Sequence, residues 1–201
     1  PLPERLSVHD AGPLFCGGIT VFSPILDFNI LPTDKVGVVG IGGLGHLAVK
    51  FLRAWGCEVT AFTTSADKTD ALKALGAHHV VNTRDEAALK GLRGNFGAII
   101  STVNADLPWG QYLGALAPRG RLITVGIVGK PMEVRAAQLV TGQKSLGGSD
   151  TGSPAVMAKM LEFCARHDIV PQTEVYAMSD INAAIERLRS GKARYRVVLK
   201  A

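Results

Sequence analysis

The sequence predicts an α/β fold built on a doubly wound parallel sheet, and three observations lead there. Strand-like and helix-like segments alternate along most of the 201 residues. The strand-like segments read as unbroken apolar runs, as strands covered on both faces do, and a glycine-rich turn from Gly40 to Gly45 joins the first of them to a helix. With 47% hydrophobic and 19% charged residues, the chain carries enough apolar surface for a substantial core.

Val36 to Gly40 is β-branched and apolar, the composition of a buried strand. After the glycines, Leu44, Leu47, Ala48, Phe51, Leu52 and Trp55 fall at helical spacing and form one apolar face. "EVTAFT" (58–63) predicts a second strand, "DKTDALKALG" a helix that begins near Asp67 and closes at Gly76, and "HVVN" (79–82) a third strand. "FGAIIS" (96–101), "RLITVG" (121–126) and "KSLGGS" (144–149) continue the series to six strands, with "WGQYLGALAP" (109–118) helical between the fourth and fifth. Beyond Pro154 a helix over Ala155 to His167 places Val156, Met160, Leu161 and Cys164 on one face. It leads to "TEVYAM" (173–178), a helix over 181–189 capped by Ser179, and a last strand "RYRVVLK" (194–200). These late strands fit the sheet less well and are expected to belong to a neighbouring domain, as is the opening Pro1 to Ala11. An uncovered last sheet strand invites edge pairing, so a homodimer through the sheet edge is an expected partner arrangement.

Composition excludes several classes. The 22 basic and 17 acidic residues give a formal net charge of +5, without a long Lys/Arg run or interleaved aromatics, which suits a small anionic ligand and not a nucleic-acid groove. Cys16, Cys57 and Cys164 are far apart with no CxxC pair, so spacing suggests neither a disulfide framework nor a self-contained zinc site, and a cytoplasmic setting is the default. No run approaches the roughly 18 apolar residues of a membrane span, so no membrane partner is expected. The chain opens "PLPERLSVHD", without a methionine, and reads as a processed or truncated piece.

Chemistry enters at the glycines. Gly40, Gly42 and Gly45 form GxGxxG between a strand and a helix, the context in which this pattern marks a dinucleotide site. The first glycine makes the tight turn, the second lets the backbone approach a pyrophosphate, and the third allows close helix–strand packing. The anion then meets free N–H groups at the positive end of the helix.

The end of the second strand selects the cofactor. An NAD site carries Asp or Glu there for the ribose hydroxyls, whereas this strand ends "AFTTSADK", with Thr63, Thr64, Ser65 and then Lys68. A carboxylate would repel a 2′-phosphate by up to about 4 kcal/mol at about 4 Å and an effective dielectric near 20. Hydroxyls and a lysine therefore favour NADP(H). The same hydroxyls also suit capping of the following helix.

"PLFCGGITVFSP", "KVGVVGIGGLGHLAVK", "AFTTSADK", "LGAHHVVN" and "KARYRVVLK" together resemble the zinc-dependent medium-chain alcohol dehydrogenases, in particular their NADP-dependent cinnamyl alcohol dehydrogenase branch. The resemblance runs over essentially the whole chain. It implies a six-stranded Rossmann sheet at 16–152, with 1–15 a remnant of a GroES-like catalytic domain and 153–201 a closing helix and return to that domain. It implies hydride transfer between C4 of the nicotinamide and an alcohol or aldehyde substrate whose oxygen zinc polarises.

The resemblance also assigns roles by position. Cys16 matches a catalytic zinc ligand and Thr20 a residue at the nicotinamide; Gly40, Gly42, Gly43, Leu44 and Gly45 match the pyrophosphate loop. Thr63, Thr64, Ser65 and Lys68 match the 2′-phosphate pocket. Thr102, Val103, Val125, Gly126, Ile127 and Ser149 fall where the nicotinamide and its ribose are placed, and Arg196 matches an arginine on the pyrophosphate. A solvated strand-edge side chain is the lesser reading of Arg196, whereas from spacing alone a small buried hydrophobe is the favoured reading of Cys16, and only the surrounding block turns it toward a ligand. The family's other zinc ligands are absent from this chain, and catalytic zinc needs three. His46 reads as a structural position, and the adjacent His78 and His79 as exposed loop or strand residues unable to chelate one ion together. Asp150, Thr151 and Val128 depart from the branch's usual residues, so cinnamyl substrates do not carry over.

The function expected is thus the NADP(H)-binding part of a zinc-dependent alcohol dehydrogenase, inactive by itself. The alternative is a free-standing dinucleotide-sensing module. A methyltransferase of similar topology ranks third, because the acids it often carries at the glycine run and second strand are missing.

Overall fold

A computed structural model describes residues 2–201. The chain opens with helix α1 (Val8–Pro13), a π-helical turn (Leu14–Gly18) and α2 (Ile19–Asp27). Strands and helices then alternate: β1 (Lys35–Val39), α3 (Gly45–Trp55), β2 (Glu58–Thr63), α4 (Thr69–Ala74), β3 (His79–Asn82), α5 (Glu86–Lys90), β4 (Phe96–Ser101), α6 (Trp109–Ala115), β5 (Leu116–Thr124), α7 (Ala136–Val140) and β6 (Ser145–Gly148). Helix α8 (Pro154–Arg166), β7 (Thr173–Ala177), α9 (Ile181–Arg189) and β8 (Arg196–Lys200) follow.

Among the described residues, β1 to β6 form one sheet in the order β3-β2-β1-β4-β5-β6, parallel at every pairing. This is the predicted doubly wound α/β sheet. Successive side chains of a strand point to opposite faces, and the apolar runs fill both. Val36, Val38, Val59, Ala61, Ala98 and Ile100 share a core with α2, α3 and α8. Val39, Phe62, Phe96, Ile99 and Leu122 share another with Trp109, Tyr112 and Leu113 of α6.

Helix α3 is more deeply enclosed than one apolar face requires, with His46 and Val49 fully buried beside Leu47, Ala48, Phe51 and Leu52. Its outer side is covered by aromatic packing. Phe22 of α2 meets Phe51 edge-on at 5.3 Å between centroids, and Phe163 of α8 lies 5.6 Å from Trp55. Burial pushes the Cys57 and Cys164 thiols up to about 12, as for small apolar side chains.

Three boundaries differ from the expectation. Strand β5 starts at Leu116 and not at 121, because Leu116 is extended (φ −70°, ψ 138°) and pairs with Phe96, while Pro118 has no N–H to continue a helix. Ser179 is no helix cap; it lies in a 3₁₀ turn, Met178–Asp180, and Asp180 occupies the cap position without a side-chain bond. A 3₁₀ turn, Ala66–Lys68, precedes α4, so the α-helix proper begins later than Asp67.

The late strands lie outside the main sheet. β7 and β8 pair in parallel with each other, Thr173 opposite Arg196. The terminal segments nevertheless share the main core: Leu6, Leu14, Met160, Cys164 and Tyr195 belong to the same buried cluster as Val36 and Leu47. Val175, Met178, Ile185 and Leu188 of the β7–α9 region remain exposed. No helix among the described residues is long and apolar enough to cross a membrane.

A forked ion pair ties α9 to β7. Arg187 donates through Nε and Nη2 to the two carboxylate oxygens of Glu174 at 2.7 and 2.9 Å, and the Arg194 backbone N–H donates to Glu174 Oε1 at 2.8 Å. These donors lower the Glu174 carboxyl to about 2. A carboxyl with a depressed folded-state pKa stabilises fully above its unfolded value, near 4.3, and loses that contribution as pH falls toward about 2. The protection of α9 amides, taken relative to intrinsic exchange at each pH, is therefore expected to fall between about pH 4.5 and pH 2 by more than that of α3, and Glu174→Gln should remove this pH dependence. Identical profiles in the two proteins would show that the pair does not hold α9.

Candidate functional site

The site is built where β1 turns into α3. Gly40 takes φ +87°, a left-handed conformation that suits glycine, and a Cβ there would collide with Val103. Its carbonyl oxygen accepts from Gly42 N at 3.0 Å and from Thr102 Oγ1 at 2.6 Å. Thr102 follows β4, so one hydroxyl clamps the ends of two neighbouring strands. Gly45 packs directly on the Gly40 carbonyl, with no room for a Cβ. Gly42 differs from both: a Cβ there would meet nothing within 4 Å, so that side of the residue faces open space.

That space is a cleft of about 440 Å³ lined by Gly40 to Leu44, Thr102 to Asn104, and Arg196. It lies between the ends of β1 and β4, where the strand order reverses, the place at which open α/β sheets bind ligands. No side chain caps α3; His46 N and Leu47 N in its first turn already donate to Gly42 O and Leu44 O, so the N–H groups that can meet a ligand lie just before them, from Gly43 to Gly45. Arg196 supplies a cation from β8. Its Nε–H donates to Gly43 O at 2.9 Å, and its guanidinium occupies the space a Cβ on Gly17 or Gly43 would need.

Of the residues singled out from sequence, Gly40, Gly42, Gly43, Leu44, Thr102, Val103 and Arg196 meet in this cleft. Gly45 supports it from beneath. Gly126 follows β5 and presses on the Val103 carbonyl, while Val125 N donates to Ser101 O at 2.9 Å; the neighbouring Ile127 is 87% exposed. Ser149 N donates to Thr124 O at 3.0 Å, which sets it at the end of the next strand. Thr63, Thr64, Ser65 and Lys68 stand at the end of β2 and line no part of the cleft itself. Thr63 Oγ1 accepts from Ser65 N at 3.1 Å in a local turn, and no side chain caps α4. No carboxylate occupies the end of β2.

Cys16 is exposed in the π-helical turn, and Thr20 donates to its carbonyl at 2.8 Å. Among the described residues no group of three His, Cys, Asp or Glu side chains comes close enough to hold a metal ion. Cys16 alone does not make a zinc site. His78 and His79 serve local structure: His78 Nδ1 accepts from Val59 N at 3.0 Å, and His79 Nε2 lies 2.9 Å from Glu58 Oε1.

Ile41 and Asn104 also line the cleft, and neither carried a signal in the sequence. The residue most underestimated is His46. It is fully buried, its Nδ1 lies 3.1 Å from Gly42 O, and its Nε2 accepts from Gln172 N at 3.2 Å. Burial, reinforced by the nearby charges of Lys50 and Arg196, lowers its pKa to about 4. A larger hollow of about 610 Å³ opens beside α5, α6 and α7 and is rimmed by Lys90, Arg93, Arg135 and Lys144, but none of the residues singled out from sequence lies in it.

The chain matches the family model described as zinc-binding dehydrogenase over residues 43–166. It is 53% identical over 198 residues to an aldehyde reductase of Synechocystis, covering 98% of this chain and 59% of that protein. In structure it is similar to a cinnamyl alcohol dehydrogenase from Sorghum bicolor, with TM-score 0.93 and 40% identity, covering 98% of this chain and 57% of the other. It is also similar to CAD from Helicobacter pylori complexed with NADP(H), with TM-score 0.86 and 29% identity, covering 98% of this chain and 56% of the other. The chain therefore spans somewhat more than half the length of these relatives.

The packing of Gly45 on the Gly40 carbonyl yields a stability prediction. Gly45→Ala is expected to lower unfolding free energy by about 1–3 kcal/mol in chemical denaturation, as overpacking does. Gly42→Ala should leave it nearly unchanged. Equal losses would mean that the two glycines are not distinguished by packing.

Proposed function

Because the chain belongs to the zinc-binding dehydrogenase family, we propose that it is the NADP(H)-binding part of an alcohol dehydrogenase or aldehyde reductase. The observation that carries this reading is the cleft at the reversal of strand order, where a bare glycine backbone, an uncapped helix start and one guanidinium converge. Such a site suits a pyrophosphate. Gly42 lets it approach the backbone, the turn into α3 offers N–H groups, and the Arg196 Nη atoms supply donors beyond the one that holds Gly43.

In this arrangement the dinucleotide runs from the end of β2 toward the end of β5. Thr63, Thr64, Ser65 and Lys68 take the 2′-phosphate, and the absence of a strand-end carboxylate favours NADP(H) over NAD(H). Thr102, Val103, Val125, Gly126, Ile127 and Ser149 border the nicotinamide and its ribose, with Thr20 on the side of Cys16. When bound, NADPH supplies a hydride from C4 of its nicotinamide to an aldehyde carbon. The chain's own residues orient the ring and screen it from water.

Zinc enters this proposal only for a longer protein that brings further ligands to Cys16, and no step is assigned to it here. In such a protein, 1–15 and 153–201 would adjoin a catalytic domain, and the exposed apolar side chains of the β7–α9 region would be covered there. The isolated chain is proposed to hold the cofactor without turning over an aldehyde.

Parallel equilibrium titrations of the chain with NADPH and NADH test the reading. NADPH should bind at least about tenfold more tightly, a difference worth roughly 1.4 kcal/mol, and Lys68→Ala should narrow the gap. Gly42→Ala should weaken NADPH binding without lowering thermal stability. Equal affinity for the two cofactors would overturn the NADP assignment, and binding of neither by the folded chain would overturn the reading of the cleft.

A further inference from the structure

His46 stands at the second position of α3, two residues past Leu44 of the cleft wall, and it is fully buried with both of its ring nitrogens engaged. The two partners specify its chemical form. Gly42 O, 3.1 Å from Nδ1, can only accept, and Gln172 N–H, 3.2 Å from Nε2, can only donate. Nδ1 therefore carries the proton and Nε2 the lone pair: a neutral ring in one tautomer. Its pKa of about 4 agrees with that form, since a protonated ring would set a second N–H against that of Gln172.

The path continues past the ring. Gln172 O accepts from Tyr195 N at 3.0 Å and from Arg196 N at 3.1 Å. The Tyr195 ring stacks on the imidazole, 4.8 Å between centroids and 13° between planes. Arg196 Nε–H then donates to Gly43 O at 2.9 Å. A circuit of hydrogen bonds thus leaves the glycine loop at Gly42, passes through His46, Gln172 and the start of β8, and returns to the loop at Gly43.

We propose that His46 is a positioning residue for the cofactor's pyrophosphate: as the neutral Nδ1–H tautomer, it holds the backbone from which Arg196 reaches over the glycine loop. The proposal rests on the reading of the cleft as a dinucleotide site. Arg196 belongs to a strand outside the six-stranded sheet, so the sheet itself does not fix where its guanidinium stands. An arginine side chain has large rotamer freedom, and a fixed backbone with a tethered Nε confines it before the phosphate arrives. The circuit anchors both ends: the Arg196 N–H on Gln172 and the Arg196 Nε–H on Gly43. His46 joins them.

Three measurements on the full chain test the proposal. In nitrogen NMR of the unliganded protein, the His46 ring should show a protonated Nδ1 and an unprotonated Nε2 from about pH 5.5 to 8; the opposite tautomer would overturn the circuit. Hydrogen exchange of the Arg196 Nε–H should be slow in the wild type and at least about tenfold faster in His46→Phe, which keeps an aromatic ring for Tyr195 but loses both hydrogen bonds. Unchanged protection would show that His46 does not position the arginine. In a double-mutant cycle, His46→Phe should weaken NADPH binding about five- to tenfold when Arg196 is present and less than about twofold in Arg196→Ala. The same factor in both backgrounds would identify a general structural role and overturn the proposal. Should His46→Phe not fold, His46→Asn retains a donor for Gly42 while failing to reach Gln172, and it should reproduce the exchange and binding effects. The tautomer and exchange measurements need no cofactor, so failure of the wild type to bind NADPH would count against the reading of the cleft and leave these two results to decide the role of His46.

Discussion

The contact between Gly45 and the carbonyl oxygen of Gly40 governs the geometry of everything around it. It lets α3 begin against the end of β1, without a side chain between them, and so brings the helix start to the reversal of strand order. From there the consequences are mechanical. The Gly40 carbonyl is turned toward Thr102, which ties β1 to β4. Gly42 is left facing open space, and His46, one residue beyond Gly45, is turned inward to meet Gln172. A larger residue at 45 would push α3 outward and loosen each of these relations.

The sequence disclosed most of the architecture because buried parallel strands leave a strong mark. Val36 to Val39, the run from Glu58 to Thr63 and the run from Phe96 to Ser101 are apolar on both faces, and their segments match the observed strands to within a residue. Signals failed where context overrode composition. Leu116 to Pro118 continue a helical pattern, but pairing with Phe96 draws them into β5. The short helices at the start of the chain leave little local mark, since Pro13, Gly17 and Gly18 are poor helix formers and the packing of Leu14 and Ile19 on the core accompanies their helical form.

The site was legible to the same uneven degree. The GxGxxG spacing marks the tight strand-to-helix turn that the structure shows, and the missing acid after β2 is a visible absence of charge. Tertiary partnerships are less visible. Nothing about "GLGHL" says that its histidine will bond to residue 172, and Arg196 looks like any exposed strand residue until β8 is placed over the loop. Ring stacking and backbone acceptors are set by folding and leave no local pattern to read.

Arg196 and Gly43 are separated by 153 residues, and their contact has a kinetic side. The turn from β1 to α3 is local and forms early at small entropic cost, whereas the arginine arrives only after β7 and β8 have paired and docked. Partly folded chains would then display the glycine loop without its cation. On the proposed reading of the cleft, affinity for a phosphate anion becomes a late marker of the native state, gained after secondary structure and most of the core are in place.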